Sequence, residues 1–205
     1  MWMNKLLSYG IDILLCGFAV YLFFCYFDIF FIRKKDKLPS VIGLAIFVLW
    51  QFGVATINLP AYANIAVTIV VTMLAVMIIY DGMWWNKCVF VIAFNAIWML
   101  METLCSYILM IYCEKYAMVQ PVGSFISKIF FLIVIIALKK VFTDDEIKEL
   151  PAKYSIMLVL IPTGSIYIMN NIFMLGFTVN NNHTRFNSAI TVLILLGMNA
   201  LIFYI

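Results

Sequence analysis

Glu102 and Lys128 are the two residues best placed to do chemistry, because each is an ionisable group inside an apolar segment. Glu102 falls within residues 88–112 and Lys128 within residues 122–138, and both segments are typical of membrane-spanning helices. An ionisable group in hydrocarbon costs about 2.5–3.5 kcal/mol on insertion scales, so it normally faces the bundle interior and has a partner. The sequence therefore predicts an ion pair between Glu102 and Lys128.

Further polar residues recur on one helical face of the segment that holds Glu102. Their spacing of i, i+7, i+11 and i+18 places them on one side of a 3.6-residue helix: Asn95, Glu102, Ser106 and Cys113. On the next segment, Ser124 lies one turn before Lys128. Such residues are typical either of hydrogen bonds that hold helices together or of a ligand or signalling site, and both interpretations remain open.

Three more polar residues are expected in the outer half of the bundle, where Glu102 and Lys128 are also expected. Asp12 interrupts the first apolar segment, and Asn170 and Asn171 lie toward the outer end of the sixth. We predict a ligand-binding or signalling site made of the following residues: Asp12, Glu102, Lys128, Asn170 and Asn171.

The sixth apolar segment contains Pro162 and Gly164 near its middle. Proline removes one backbone hydrogen bond and kinks a helix, while neighbouring Thr and Ser side chains can satisfy the freed carbonyl. Two interpretations follow, a static kink or a hinge at Pro162 and Gly164 that transmits a signal across the membrane.

Residues for catalysis, metal binding or cofactor binding are not found in this sequence. Nucleophilic catalysis by Cys or Ser usually needs a base, and the one histidine, His183, is expected in an outer loop far from every cysteine. The five cysteines show no CxxC or Cys/His spacing, so we expect them to pack as small apolar residues. We predict no metal, no cofactor and no catalytic residue.

The composition is that of an integral membrane protein. Hydrophobic residues make up 66% of the chain and charged residues only 11%, whereas about a quarter of a soluble domain is charged. The 205 residues leave room for six or seven spans and no soluble catalytic domain. Because the basic residues lie in short loops and form no basic face, a nucleic-acid partner is not expected.

The fold class predicted is an all-α bundle of about seven transmembrane helices that together form a single sensor domain. The predicted spans are residues 9–32, 40–58, 61–80, 88–112, 122–138, 154–175 and 188–205. With these spans, nine Lys and Arg residues lie on one side of the membrane, and four lie at or near the other side. By the preference of basic residues for cytoplasmic loops, the N-terminus is outside and the C-terminus inside a bacterial plasma membrane.

The layout resembles the membrane sensor region of peptide-receptor histidine kinases of the accessory-gene-regulator type, whose kinase domain belongs to the GHKL class. Several short motifs over residues 80–166 carry this resemblance: Tyr80-Asp81-Gly82, Trp85, Lys87, Glu102, Ile161-Pro162 and Ser165-Ile166.

The resemblance implies a role in bacterial two-component signal transduction, such as quorum sensing. In that family the membrane region binds an extracellular ligand, a peptide, and controls a cytoplasmic dimerisation helix and an ATP-binding kinase domain. The resemblance thus implies a homodimer formed through the cytoplasmic part. This chain has no kinase motif, so we expect the natural protein to continue past Ile205. The alternative is the substrate-binding membrane subunit of a small-molecule importer, which is also small, helical and without catalytic motifs.

Overall fold

The computed structural model describes residues 2–54, 59–112, 120–141, 152–178 and 182–201. Within these ranges the chain forms seven α-helices, which confirms the prediction of a helical bundle. The helices are α1 (Trp2–Phe30), α2 (Lys37–Gly53), α3 (Ala61–Ile79), α4 (Trp84–Tyr112), α5 (Gln120–Val141), α6 (Ala152–Thr178) and α7 (Asn182–Leu201).

Four helices are long and apolar enough to cross a membrane. They contain the candidate spans Tyr9–Phe30, Ala61–Ile79, Trp84–Tyr112 and Pro121–Lys140. Two shorter apolar stretches, Lys37–Gly53 and Leu158–Phe173, fall below that length. The 17 residues of α2 extend only about 26 Å, against a hydrocarbon core of about 30 Å. The helices thus indicate a membrane protein, while the exact count of seven spans and the orientation remain predictions.

The predicted helix bounds differ from the observed ones mainly at α1 and α7. Helix α1 begins at Trp2, seven residues before the predicted span. Helix α7 begins at Asn182, so His183 is helical and the prediction that it lies in a loop was wrong. Within the added turn, Asn187 Nδ2 lies 3.3 Å from His183 Nδ1, one turn earlier on the helix.

Helix α4 is the centre of the bundle and packs against α3, α5, α6 and α7. Of the most apolar 18-residue stretch of α4, 61% is buried inside the bundle. The corresponding stretches of the other three candidate spans are between 22% and 33% buried. Apolar residues lie on most sides of α4 and its few polar side chains bond largely within the helix, which suits this central position. Glu102 therefore lies on the helix with the most neighbours.

Aromatic rings fill the core between α1, α4 and α5. Tyr26 and Phe27 of α1 lie 5.1 Å from Phe94 of α4, measured between ring centres, and Phe131 of α5 lies 5.3 Å from Phe94. Aromatic pairs at such distances stabilise a core by about 0.5–1.5 kcal/mol each beyond their burial. This core lies directly beside the side chain of Trp98, which contacts both Phe94 and Phe131.

Candidate functional site

The structure brings Glu102 and Lys128 together, as the sequence predicted. Lys128 Nζ lies 3.8 Å from Glu102 Oε1. The two side chains differ in exposure, since Lys128 is 7% exposed and Glu102 is 42% exposed. A buried ammonium thus pairs with a carboxylate that reaches the surface of the bundle.

The ammonium group of Lys128 is held by its own helix and by an aromatic ring. It donates to Ser124 Oγ over 3.2 Å and to Ser124 O over 3.4 Å, because Ser124 lies one turn earlier on α5. It also lies 5.1 Å from the centre of the Trp98 ring, within the range of a cation–π interaction. Two hydrogen bonds thus hold the ammonium to Ser124, while Glu102 lies at ion-pair distance.

The carboxylate of Glu102 is oriented by Trp98, which lies one turn earlier on α4. Trp98 Nε1 donates a hydrogen bond of 2.9 Å to Oε1, the same oxygen that faces Lys128. Trp98 itself packs edge-on against Phe94 and Phe131, with ring centres 5.4 and 5.6 Å apart. Within the described ranges Oε2 of Glu102 takes part in no hydrogen bond.

An apolar groove lies between the first halves of α1 and α5. Its volume is about 290 Å³, and it is lined by Ile11, Leu14, Leu15, Pro121, Val122, Phe125 and Ile126. We call this feature the α1–α5 groove.

The other polar residues of the predicted stripe bond within α4 and make no link between helices. Asn95 Nδ2 donates to Val91 O over 2.8 Å, and Ser106 Oγ donates to Glu102 O over 2.8 Å. Cys113 lies outside the described residues. Among the described residues of this stripe, Glu102 alone makes a polar contact with another helix.

The remaining three predicted site residues do not contact the ion pair. Asn170 is buried in α6, whereas Asn171 is exposed and donates to Tyr167 O of its own helix over 2.9 Å. Asp12 is exposed on α1. In the part of the chain that is described, no hydrogen bond or ion pair links any of the three to Glu102 or Lys128, so the structure joins two of the five predicted residues.

The region of the predicted hinge contains a polar link between α6 and α7. Helix α6 continues through Pro162 without interruption. Ser165 Oγ donates to Ile161 O over 2.9 Å and accepts a hydrogen bond of 2.7 Å from Nδ2 of the fully buried Asn199. A Cβ on Gly164 would contact nothing within 4 Å. Sequence reasoning missed Asn199, although its amide inside an apolar segment was a usable signal.

A second polar cluster joins the loop after α1 to the loop after α3. Arg33 and Tyr80 form an antiparallel bridge, in which Lys34 N donates to Ile79 O and Asp81 N to Ile32 O, both over 2.9 Å. Gly82, with φ of 117°, allows the chain to turn back into α4. The two loops thus lie at the same end of the bundle.

Charged side chains reinforce this bridge, and we call Asp28, Arg33, Tyr80 and Lys87 the loop clamp. Asp28 accepts from the Tyr80 hydroxyl over 2.9 Å and from Arg33 Nε over 2.7 Å. The buried Lys87 donates from Nζ to Tyr80 O over 2.8 Å. The hydrogen bond and charge of Asp28 raise the pKa of Arg33. The sequence indicated Tyr80 and Lys87 at an inner turn and Arg33 among the basic residues on the inner side, but it did not predict their contacts with Asp28 or with one another.

The described residues include no group of three or more His, Cys, Asp or Glu side chains that could hold a metal ion. Compared with known proteins, the chain matches no protein-family model, no curated protein and no solved structure. Its function therefore has to be inferred from the site itself.

Proposed function

We propose that this chain is the membrane-embedded sensing region of a bacterial two-component sensor histidine kinase. In this proposal it binds an extracellular ligand in the outer half of the bundle and relays binding to a cytoplasmic domain. A peptide is the ligand class that the sequence resemblance implies. The protein is then a multi-pass protein of the plasma membrane with its N-terminus outside.

One observation carries the proposal: the ion pair between Glu102 and Lys128, with its carboxylate reaching the bundle surface. Charged groups inside membrane-spanning helices are costly and commonly mark binding or signalling positions. The carboxylate of Glu102 is only partly covered by the bundle, so a molecule outside the bundle can reach it. The partly covered carboxylate is therefore suited to contact with a ligand.

The positions of the other polar features are consistent with signal transmission. The pair lies on α4 and α5, and α4 also packs against α6, which carries Pro162 and bonds to α7 through Ser165 and Asn199. A ligand shifts a two-state bundle by its difference in affinity for the two states. In our proposal, ligand binding at α4 and α5 biases the packing of α6, and α7 passes the change to the cytoplasmic side.

The first test is the natural coding sequence beyond Ile205. A sensor requires an in-frame dimerisation helix and an ATP-binding domain after this residue. A stop codon directly after Ile205 would contradict the proposal and favour the importer subunit.

The second test is autophosphorylation of the full-length protein in membrane vesicles, with and without concentrated medium from cultures of the source cells. We expect the medium to change the phosphorylation rate of the wild type and to have at least a tenfold weaker effect on Glu102→Gln. Pro162→Ala is expected to change the rate without medium, because it alters the resting equilibrium of α6.

Ser106→Ala is the matched control, since Ser106 lies one turn from Glu102 and bonds only within α4. It should respond as the wild type does. A wild-type response in Glu102→Gln would show that the pair is not part of the sensing site.

A further inference from the structure

We propose that the end of the bundle at the loop clamp binds an anionic phospholipid. The binding surface, which we call the clamp-end surface, is made of exposed side chains from the two loops and the helix starts that follow them: Ile32, Lys35, Lys37, Leu38, Met83 and Trp84. In this proposal Lys35 and Lys37 contact the phosphate, and the four apolar side chains contact the acyl chains. This inference goes beyond the proposed function, since it requires neither a kinase domain nor a ligand at Glu102.

The two loops that carry the clamp-end surface lie against each other. Asp81 N of the second loop donates to Ile32 O of the first loop over 2.9 Å. Gly82 follows, and a Cβ there would lie 3.4 Å from the ring of Phe31. The next two residues of the second loop belong to the clamp-end surface, so its two halves meet at one end of the bundle.

Large apolar side chains of this surface are exposed where two candidate membrane spans have their ends. Ile32 is 81% exposed and lies two residues after the span Tyr9–Phe30, and Leu38 is 72% exposed. Trp84 is half exposed and is the first residue of the span Trp84–Tyr112. Tryptophan is enriched at the level of the lipid headgroups. The apolar part of the surface is therefore at the boundary between the hydrocarbon core and the headgroups, where acyl chains can cover it.

Two cations of the clamp-end surface are available to an anion. Within the described ranges, Arg33 is the one cation of the two loops with a carboxylate at ion-pair distance, that of Asp28. The side chains of Lys35 and Lys37 are exposed, and among the described residues neither forms a hydrogen bond or an ion pair. A phosphate can thus approach both ammonium groups without displacing a partner.

The carboxylates of the two loops do not cancel this positive charge. Besides Arg33, residues 31–38 and 80–87 contain four lysines and two aspartates: Lys34, Lys35, Lys37, Lys87, Asp36 and Asp81. Clusters of basic residues directly beside a membrane span attract anionic lipids, and each cation strengthens the association about fivefold. A phospholipid with a net negative charge offers the phosphate and the acyl chains in one molecule, which matches both parts of the surface.

The test compares two phospholipids with the same acyl chains. The full chain, purified in detergent, is titrated with phosphatidylglycerol, which is anionic, and with phosphatidylcholine, which has no net charge. Native mass spectrometry counts the bound lipid molecules and gives a Kd for each lipid. We expect phosphatidylglycerol to bind at least tenfold more tightly. Sodium phosphate should displace it no better than sodium chloride of the same ionic strength, because free phosphate has no acyl chain.

Three double variants locate the charged part of the site. Lys35→Gln with Lys37→Gln should weaken phosphatidylglycerol binding at least tenfold and leave phosphatidylcholine binding unchanged. Lys35→Arg with Lys37→Arg keeps both charges and should retain the wild-type affinity. Lys5→Gln with Lys115→Gln is the matched control, because it removes the same charge from residues that the sequence places at or near the other side of the membrane. It should bind phosphatidylglycerol as the wild type does.

A fourth double variant tests the apolar part of the surface. Ile32→Ser with Leu38→Ser removes two exposed apolar side chains and keeps every charge. It should weaken the binding of both lipids by the same factor, since their acyl chains are identical. Unchanged binding of both lipids would show that the acyl chains do not contact this surface.

Four other outcomes overturn the inference. Equal Kd values for the two lipids, or unchanged phosphatidylglycerol binding in Lys35→Gln with Lys37→Gln, would show that these lysines do not recognise the headgroup. An equal loss in Lys5→Gln with Lys115→Gln would assign the effect to the net charge of the whole protein. Loss of binding in the arginine variant would contradict recognition through charge, and displacement by sodium phosphate would identify a site for free phosphate.

Discussion

The hydroxyl of Tyr80 donates a hydrogen bond of 2.9 Å to Asp28 Oδ1, although 52 residues separate the two in the chain. Asp28 lies in the last turn of α1 and Tyr80 directly follows α3, so this bond fixes the ends of two helices relative to each other. Lys87 then attaches the start of α4 to the same point through Tyr80 O. Three helices thus meet at the loop clamp.

Removing the Tyr80 hydroxyl should weaken the clamp without changing its shape. We expect Tyr80→Phe to lower the free energy of unfolding by about 1.5–3 kcal/mol, since hydrogen bonds to charged groups contribute about that much. Thermal unfolding of the purified protein measures this loss. Tyr62→Phe, at an exposed position of α3, is the control and should unfold at the wild-type temperature.

The contribution of Tyr80 should also depend on pH in the alkaline range. Burial, and then the Asp28 carboxylate, raise the pKa of Tyr80 above the ordinary value of about 10. A pKa raised in the folded state means that the stabilisation is fully present below about pH 10 and is lost as pH rises further. The stability difference between the wild type and Tyr80→Phe should therefore be constant below about pH 9 and shrink above about pH 10. If the stability difference between the wild type and Tyr80→Phe grew above about pH 10, the raised pKa of Tyr80 in the folded state would be contradicted.

The ion pair should respond unequally to loss of each partner. Glu102→Gln leaves the buried Lys128 ammonium without its counter-charge and should cost about 3 kcal/mol. Lys128→Met leaves a half-exposed carboxylate that keeps its bond to Trp98, so it should cost less. The double variant should cost less than the sum of the two, as measured by chemical unfolding in detergent. Strict additivity would show that the residues do not interact.

Close packing of α2 on α3 should make Gly43 sensitive to any side chain. A Cβ at this position would lie 2.6 Å from Ile79 Cγ1 and 3.1 Å from the backbone oxygen of Ala75. We expect Gly43→Ala to destabilise the protein by about 1–3 kcal/mol through overpacking. Gly17→Ala is the control, because a Cβ there would contact nothing within 4 Å. Equal unfolding temperatures for the two variants would contradict this packing.

The predicted orientation places the loop clamp in the cytoplasm. In a cysteine-free background, Lys35→Cys lies at the clamp end and Leu59→Cys in the loop at the other end of α2, and both positions are exposed. An impermeant thiol reagent should label Leu59→Cys in intact cells and should reach Lys35→Cys only after the membrane is opened. Labelling of Lys35→Cys in intact cells would show that the clamp end faces the outside and that the predicted orientation is wrong.

The sequence by itself determined the helical membrane class and the Glu102–Lys128 pair. Long apolar segments in a chain with few charges form helices in a membrane because every backbone group must be satisfied within the segment. The pair was predictable because two opposite charges occur inside consecutive segments, and consecutive helices are usually neighbours. The same reasoning did not extend to Asn170 and Asn171, since adjacent residues face different sides of a helix.

Only the tertiary structure decided which helix faces and loops meet. Asn170 is buried and Asn171 exposed because of the rotation of α6 against its neighbours, which an apolar sequence without a clear polar face does not reveal. The loop clamp depends on two loops that are far apart in the chain and meet at one end of the bundle. The hydrogen bond from Asn199 to Ser165 likewise depends on how far α6 and α7 are shifted along their axes relative to each other. Such contacts between distant residues follow from the packing of whole helices, and local sequence spacing carries no information on that packing.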